Sequence, residues 1–178
     1  MEVQTQVVSP VAIGIRFGLL VALTGILVDF LTRIIGLSVL VYSIVAGGLA
    51  LIIAIVGIVL AHRAFKKANS GTMTYGQGLI ITLVMLLISS LLSALFNYLY
   101  VNYVDPDFVG RMKDEMTAFM ERNRVPEDQI AKNTAKFDEM NPSFGMAMVN
   151  GLKNGLIGGI VLGLIISAFT KRKPADFD

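Results

Sequence analysis

Apolar residues run almost without interruption through four stretches of this chain: 10–32, 37–61, 75–104 and 143–170. At a rise of 1.5 Å per residue, each is long enough to cross a hydrocarbon core of about 30 Å. The pattern predicts an all-α membrane protein, one domain over residues 1–178 built as a bundle of four transmembrane helices. The polar segment 105–142 between the third and fourth stretches has a different rhythm. Val109, Met112, Met116, Phe119 and Met120 recur at helical spacing. Asp105-Pro106-Asp107 reads as the start of that helix, with Asp105 as N-cap and Pro106 at the first helical position. Asn123-Arg124-Val125 breaks the stripe, and Pro126-Glu127-Asp128 opens a second helix with acids in its first turn. Ile130, Thr134 and Phe137 line one side of it, and Asn141-Pro142 ends it. The expectation is an extracytoplasmic amphipathic hairpin over the mouth of the bundle; a disordered acidic loop fits this periodicity less well.

Small residues add a second pattern. In the fourth stretch Ala147, Gly151, Gly155, Gly159, Gly163 and Ser167 fall at every fourth position, so they stack into one ridge almost without side chains. In lipid such a GxxxG-type ridge lets a second backbone approach closely. Gly14, Gly18 and Ala22 form a similar ridge on the first stretch. Ala46, Ala50 and Ala54 do so on the second, and Ser89/Ser93 with Ser90/Ala94 on the third. Close helix packing is a more economical use of these ridges than a ligand groove, and it leaves little room for a wide pore.

Polar groups at membrane depth each need an account, because they are expensive there. Asp29, Asn97, Asn102, Asn150, Lys153 and Asn154 come from three stretches and fall at similar height. One arrangement gathers them into a polar cluster in which Lys153 pairs with Asp29. Such a cluster would suit an anion, a lipid headgroup or a proton relay. In the other, Asp29 pairs with Arg33 as i, i+4 neighbours while Lys153 snorkels to the headgroups. Arg16, two turns into the first stretch, is expected to snorkel as well. Thr74-Tyr75-Gly76-Gln77 fits a capping box opening the third helix, a simpler account than a binding role for Tyr75 or Gln77.

Composition agrees with a membrane setting. Of 178 residues 54% are hydrophobic and 16% charged, against about a quarter charged in soluble domains. A formal charge of +2 without a basic cluster argues against a nucleic-acid partner. The absence of Cys rules out thiol chemistry, and a single His, His62, argues against a His-based metal or catalytic site. No phosphate-binding loop, nucleophile–base constellation or internal repeat is visible. Neither an enzyme nor a cofactor is therefore expected. The first nine residues contain Glu2 and no basic residue, so no cleaved leader is expected. Arg63, Lys66 and Lys67 in the connection 62–75, with Lys171, Arg172 and Lys173 in the tail, place both termini in the cytoplasm by the positive-inside rule.

Several segments together resemble a bacterial inner-membrane family, the domain of unknown function 4199. They are Thr74-Tyr75-Gly76-Gln77-Gly78, Asp105-Pro106-Asp107-Phe108, Val125-Pro126-Glu127-Asp128-Gln129-Ile130, and the Gly-rich fourth stretch followed by Lys171-Arg172-Lys173. The similarity runs from about Ile13 onward. It implies a four-span bacterial membrane protein and carries over no catalytic or binding residue.

Two functions are then in play. One is a non-enzymatic structural or accessory subunit, meeting other membrane proteins or a second copy through the hairpin or the small-residue faces. The Met- and Phe-rich stripe of 109–120 suits such contacts, although packing on its own bundle explains it more simply. The alternative is a small carrier or channel using Asp29, Asn97 and Lys153.

Overall fold

The computed structural model describes residues 9–138 and 143–172. Among these, six helices are present and no strand. They are α1 (Pro10–Ile34), α2 (Val39–Ala68), α3 (Tyr75–Leu99), α4 (Phe108–Arg122), α5 (Glu127–Asp138) and α6 (Phe144–Thr170). A π-helical turn, Tyr100–Val104, extends α3. α1, α2, the extended α3 and α6 are each long and apolar enough to cross a membrane, with mean hydropathy between 1.8 and 2.9. The protein is a multi-pass membrane protein.

α3 is the central helix, with α1 and α6 packed on different residues of it. Glycines set both contacts. A Cβ on Gly14 would lie 3.0 Å from the Ile81 carbonyl oxygen, and one on Gly18 2.9 Å from that of Met85. On α6, a Cβ on Gly151 would meet Ala94 Cβ at 2.8 Å. One on Gly155 would meet Leu87 Cα at 2.9 Å, one on Gly159 Leu83 Cα at 3.0 Å, and one on Gly163 Leu79 Cδ1 at 2.7 Å. Except at Gly163, where the Leu79 side chain can turn aside, no side chain fits at these distances unless a backbone moves. The α6 ridge is buried along its whole length.

α2 packs on α1 and α3 mainly through its second half. Ile58, Ala61 and Phe65 join Met73, Ile81, Met85 and Leu86 in the main apolar core. Gly47 and Gly48, in its first half, have open space around them. α2 also runs beyond Ala61 to Ala68, so the connection expected at 62–75 is helical for its first half. Two facts explain this: His62 and Phe65 are buried on the core side, and Lys66 and Lys67 complement the helix C-terminus. The Thr74 capping box forms as the spacing predicts: Gln77 N–H donates to Thr74 Oγ1 at 3.2 Å, and Thr74 N–H to Gln77 Oε1 at 2.8 Å. Two backbone hydrogen bonds of 2.9 Å between Met73 and Arg172 tie the end of α6 to the α2–α3 loop.

At the opposite end, α4 and α5 form a hairpin that packs on the bundle's own α2. Met112 and Phe137 bury themselves against Val39, with Leu40, Tyr42, Phe108, Val109 and Met116 around them. The Met stripe is thus largely consumed inside the molecule. Phe119 alone of its five residues is exposed. α4 starts at Phe108 rather than Pro106, because Asp105 does not cap it: its carboxylate is held by Arg111. Asn141 and Pro142, expected to end α5, lie outside the described residues, as do residues 1–8 and Lys173.

Candidate functional site

The most elaborate polar arrangement surrounds Arg33, in the last turn of α1. Its side chain is only 5% exposed. Arg33 Nε donates to Asp29 Oδ2 at 3.0 Å, one helical turn back, and Nη2 donates to Asn97 Oδ1 of α3 at 2.9 Å. Tyr42 of α2 donates its hydroxyl to Asp29 Oδ1 at 2.7 Å. Three spans are therefore joined through one carboxylate and one guanidinium. The guanidinium carbon sits 4.4 Å from the Tyr100 ring centre and 4.6 Å from that of Phe108, with Phe96 and Tyr42 just under 6 Å away. Faces of aromatic rings attract a cation, so this cage offsets part of the cost of burying the charge. Nη1 of Arg33 is buried and has no hydrogen-bond partner among the described residues.

The π-helical turn takes part in this cage. It carries Tyr100 and Val101 inward, and Tyr100 packs edge-on against both Phe30 and Phe108. π turns inside α-helices are frequent at functional sites. Just above, Arg111 of α4 clamps Asp105 through both carboxylate oxygens, one of them at 3.0 Å. That hydrogen bond holds the Asp105 carboxyl below the usual carboxylate range, against a smaller upward push from burial.

Of the six polar residues expected to converge, Asp29 and Asn97 meet, through Arg33. Asn102 is exposed and donates to the Tyr98 carbonyl oxygen of its own helix at 2.9 Å. Asn150, Lys153 and Asn154 stand on the exposed face of α6, beside the glycine ridge buried on α3. Lys153 does not pair with Asp29. The carboxylate is taken by Arg33 and Tyr42, and among the described residues Lys153 makes no ion pair. Two contributors went unseen in the sequence: Tyr42 and the aromatic cage. Their signal, aromatic residues near the ends of apolar stretches, is common to membrane interfaces in general.

A second buried polar knot lies at the other end of the bundle. His62 Nδ1 is 2.8 Å from Thr170 Oγ1, and Nε2 is 3.0 Å from the Gly78 carbonyl oxygen and 3.1 Å from Thr82 Oγ1. Lys66 Nζ donates to the Thr170 carbonyl oxygen at 3.0 Å. These bonds fasten α2 to α3 and α6. No group of three or more His, Cys, Asp and Glu able to hold a metal occurs among the described residues.

A family model matches residues 16–172, nearly the whole bundle and hairpin, and its description is "Protein of unknown function (DUF4199)". The chain belongs to this family. Membership of DUF4199 brings a shared sequence pattern and no assigned activity. Neither a curated protein nor a solved structure matches the chain.

Proposed function

We propose that this DUF4199 protein is a non-enzymatic accessory subunit in a membrane assembly, and that α6 is the face it offers to its partner. The observation that carries this reading is the trio Asn150, Lys153 and Asn154, exposed together on a spanning helix. Lys153 lies roughly 14 Å along the axis from the start of α6, counted at 1.5 Å per residue. A cation at that depth is costly unless it meets an opposite charge or reaches the headgroups. An acidic side chain on a partner helix, with hydrogen bonds to the two asparagines, supplies such a meeting.

The hairpin contributes less than its sequence suggested, because its apolar stripe is occupied by Val39 and its neighbours. The carrier alternative loses its main support for a similar reason. Its three residues do not share a site, since Asp29 and Asn97 join Arg33 while Lys153 stands apart.

We place the protein in a bacterial inner membrane with both termini in the cytoplasm. Arg63, Lys66, Lys67, Lys171 and Arg172 gather at the end of the bundle with the Met73–Arg172 link, and this supports the orientation.

A photo-crosslinking residue at Asn154, compared in native membranes with one at the lipid-facing Leu23 of α1, tests the docking face. The expected result is a discrete adduct with a different membrane protein at position 154 only, weakened by Lys153→Met. Lipid adducts alone at both positions overturn it, and a self-adduct assigns the face to self-association instead.

A further inference from the structure

We propose that the groove between α1 and α2 binds an anionic phospholipid, one acyl chain lying in the groove and the phosphate meeting Arg16 and Arg63. The groove has a volume of about 260 Å³. Phe17, Leu20 and Thr24 of α1 line it opposite Val56, Gly57 and Leu60 of α2, and Thr24 is the one polar residue of its lining. Leu20, Val56 and Leu60 are about half exposed, so it opens outward from the bundle, toward lipid. From Phe17 to Thr24 it follows about 10 Å of helix. A helix of that length, about 10–12 Å across, would need roughly three times the space. An extended hydrocarbon chain fits it better.

Two arginines stand at one end of this groove. Arg16 lies one helical turn before Leu20, and Arg63 three positions after Leu60, so each continues one lip of the opening. Their heights match. Gly57 packs so closely on Val21 that a Cβ there would overlap it, which sets the register of these antiparallel helices. Arg16 is five residues before Val21 and Arg63 six after Gly57, so they differ in height by about 1.5 Å. Lys67 follows one turn beyond Arg63 on the same face. All three are exposed, and among the described residues none of them has a hydrogen bond or an ion pair. Arg16 stands about 9 Å inside the start of α1, and Arg63 about 7.5 Å inside the end of α2. Long arginine stems bridge such distances to the lipid phosphates.

Three like charges at one height repel one another and call for a counter-ion. The bundle does not supply it. Between residues 10 and 104 the single acid is Asp29, held by Arg33 and Tyr42 at the opposite end, and residues 143–172 contain none. A phosphodiester fits, because guanidiniums present paired N–H donors to phosphate oxygens. The same lack of acids discriminates among lipids. The ammonium of an ethanolamine or choline headgroup would meet cations and no carboxylate. A headgroup without an amine, as in phosphatidylglycerol, escapes that repulsion. This site lies on α1 and α2, so it stands or falls separately from the docking face of α6.

The full-length protein, equilibrated in detergent with equal amounts of phosphatidylglycerol, phosphatidylethanolamine and phosphatidylcholine, is read by native mass spectrometry. Phosphatidylglycerol should be retained about tenfold over the other two, a difference two such charge contacts can supply. Arg16→Gln and Arg63→Gln should each lower that preference about threefold and together abolish it. Thermal unfolding of the lipid-free variants should be unchanged, because neither side chain has a partner within the described residues. Lys171→Gln removes a charge at the same end, on α6 beside the Tyr75 ring, and should leave the preference intact. Equal retention of the three lipids by the wild type, or a preserved preference in the double variant, overturns the proposal. So does a loss with Lys171→Gln as large as with Arg16→Gln, which would mean diffuse attraction to a basic end. Displacement of the bound lipid by an equal concentration of glycerophosphoglycerol, its headgroup without acyl chains, also overturns it.

Discussion

At the scale of single residues, the Asp29–Arg33 pair is where the molecule is most exposed to damage. Asp29→Ala leaves a guanidinium that is 95% buried facing Asn97 and aromatic rings alone. Removing one partner of such a pair costs about 3–5 kcal/mol, because the remaining charge is stranded. Unfolding of the purified variant in mixed micelles should show that loss, and Asp29→Asn combined with Arg33→Met should recover most of it. If the double variant is no more stable than Asp29→Ala, the stranded charge is not the cause. The sequence made the i, i+4 pair legible, since spacing alone brings those two side chains together. Tyr42 and Asn97, 13 and 64 positions from their partners, reach the pair only through the packing of α2 and α3 on α1. Lys153 falls between Gly151 and Gly155, which pack on residues 86–94 of α3, whereas Asp29 joins Asn97 through Arg33 further along that helix, a relation that spacing within each span does not encode.

The Asp105–Arg111 clamp gives a pH dependence whose sign follows from its direction. The folded carboxyl titrates below its unfolded value of about 3.9, so the clamp's contribution is present above that value. It is lost as pH falls through the lower folded pKa. Arg111 is more than half exposed, so solvent screens the effect and it stays local to the start of α4. Hydrogen exchange of residues 105–122, corrected for intrinsic rates, should speed up as pH drops below about 4. Asp105→Asn should show the faster exchange at every pH. Parallel curves for wild type and variant would remove the clamp from the account.

At the scale of elements, glycines divide into two kinds that look alike in the sequence. Gly159 stands against Leu83 Cα, with 3.0 Å available to an added Cβ, whereas Gly110 in α4 has nothing within 4 Å. Gly159→Leu therefore has to push α6 off α3, and overpacking of this kind costs about 1–3 kcal/mol or more. Gly110→Ala meets no neighbour and removes backbone freedom from the unfolded chain, which should raise stability by about 0.5–1 kcal/mol. Chemical unfolding of both variants beside the wild type checks the contrast, and a destabilised Gly110→Ala contradicts it. The ridge on α6 was readable because a four-residue repeat of small residues has one geometric meaning on a helix. Its acceptor, the Leu83–Leu87–Ser90–Ala94 side of α3, was visible only in its last two members. Helix ends show the same division. Thr74 and Gln77 carry a complete local hydrogen-bond pattern and were legible. The C-terminus of α2 and the N-terminus of α4 depend on what Phe65 and Arg111 touch, so they moved from their expected positions.

At the scale of the whole molecule, four crossings put both ends of the bundle's chain on one side, and the remaining question is which side. The basic residues bear on it unevenly. Lys66 donates to the Thr170 carbonyl oxygen and keeps its charge, and Arg63 and Lys67 on the same helix end are exposed. At the hairpin end, Arg33 is buried with Asp29, and Arg111 is paired with Asp105, so neither acts as a free positive charge. Exposed Arg122, Arg124, Lys132 and Lys136 remain at that end, so the contrast lies between the two connections: 62–75 carries Arg63, Lys66 and Lys67 with no acidic residue, whereas 105–142 carries nine Asp and Glu against six Lys and Arg. Because the chain has no Cys, single cysteines can be introduced without a background. Cysteine replacing the exposed Asn133 in α5 should react with a membrane-impermeant maleimide in intact cells from which any outer membrane has been permeabilised. Cysteine replacing the exposed Ser70 in the α2–α3 loop should react only after the membrane that holds the protein is opened. The reverse pattern inverts the bundle, and equal labelling of both in intact cells means that α3, the span between the two positions, does not cross.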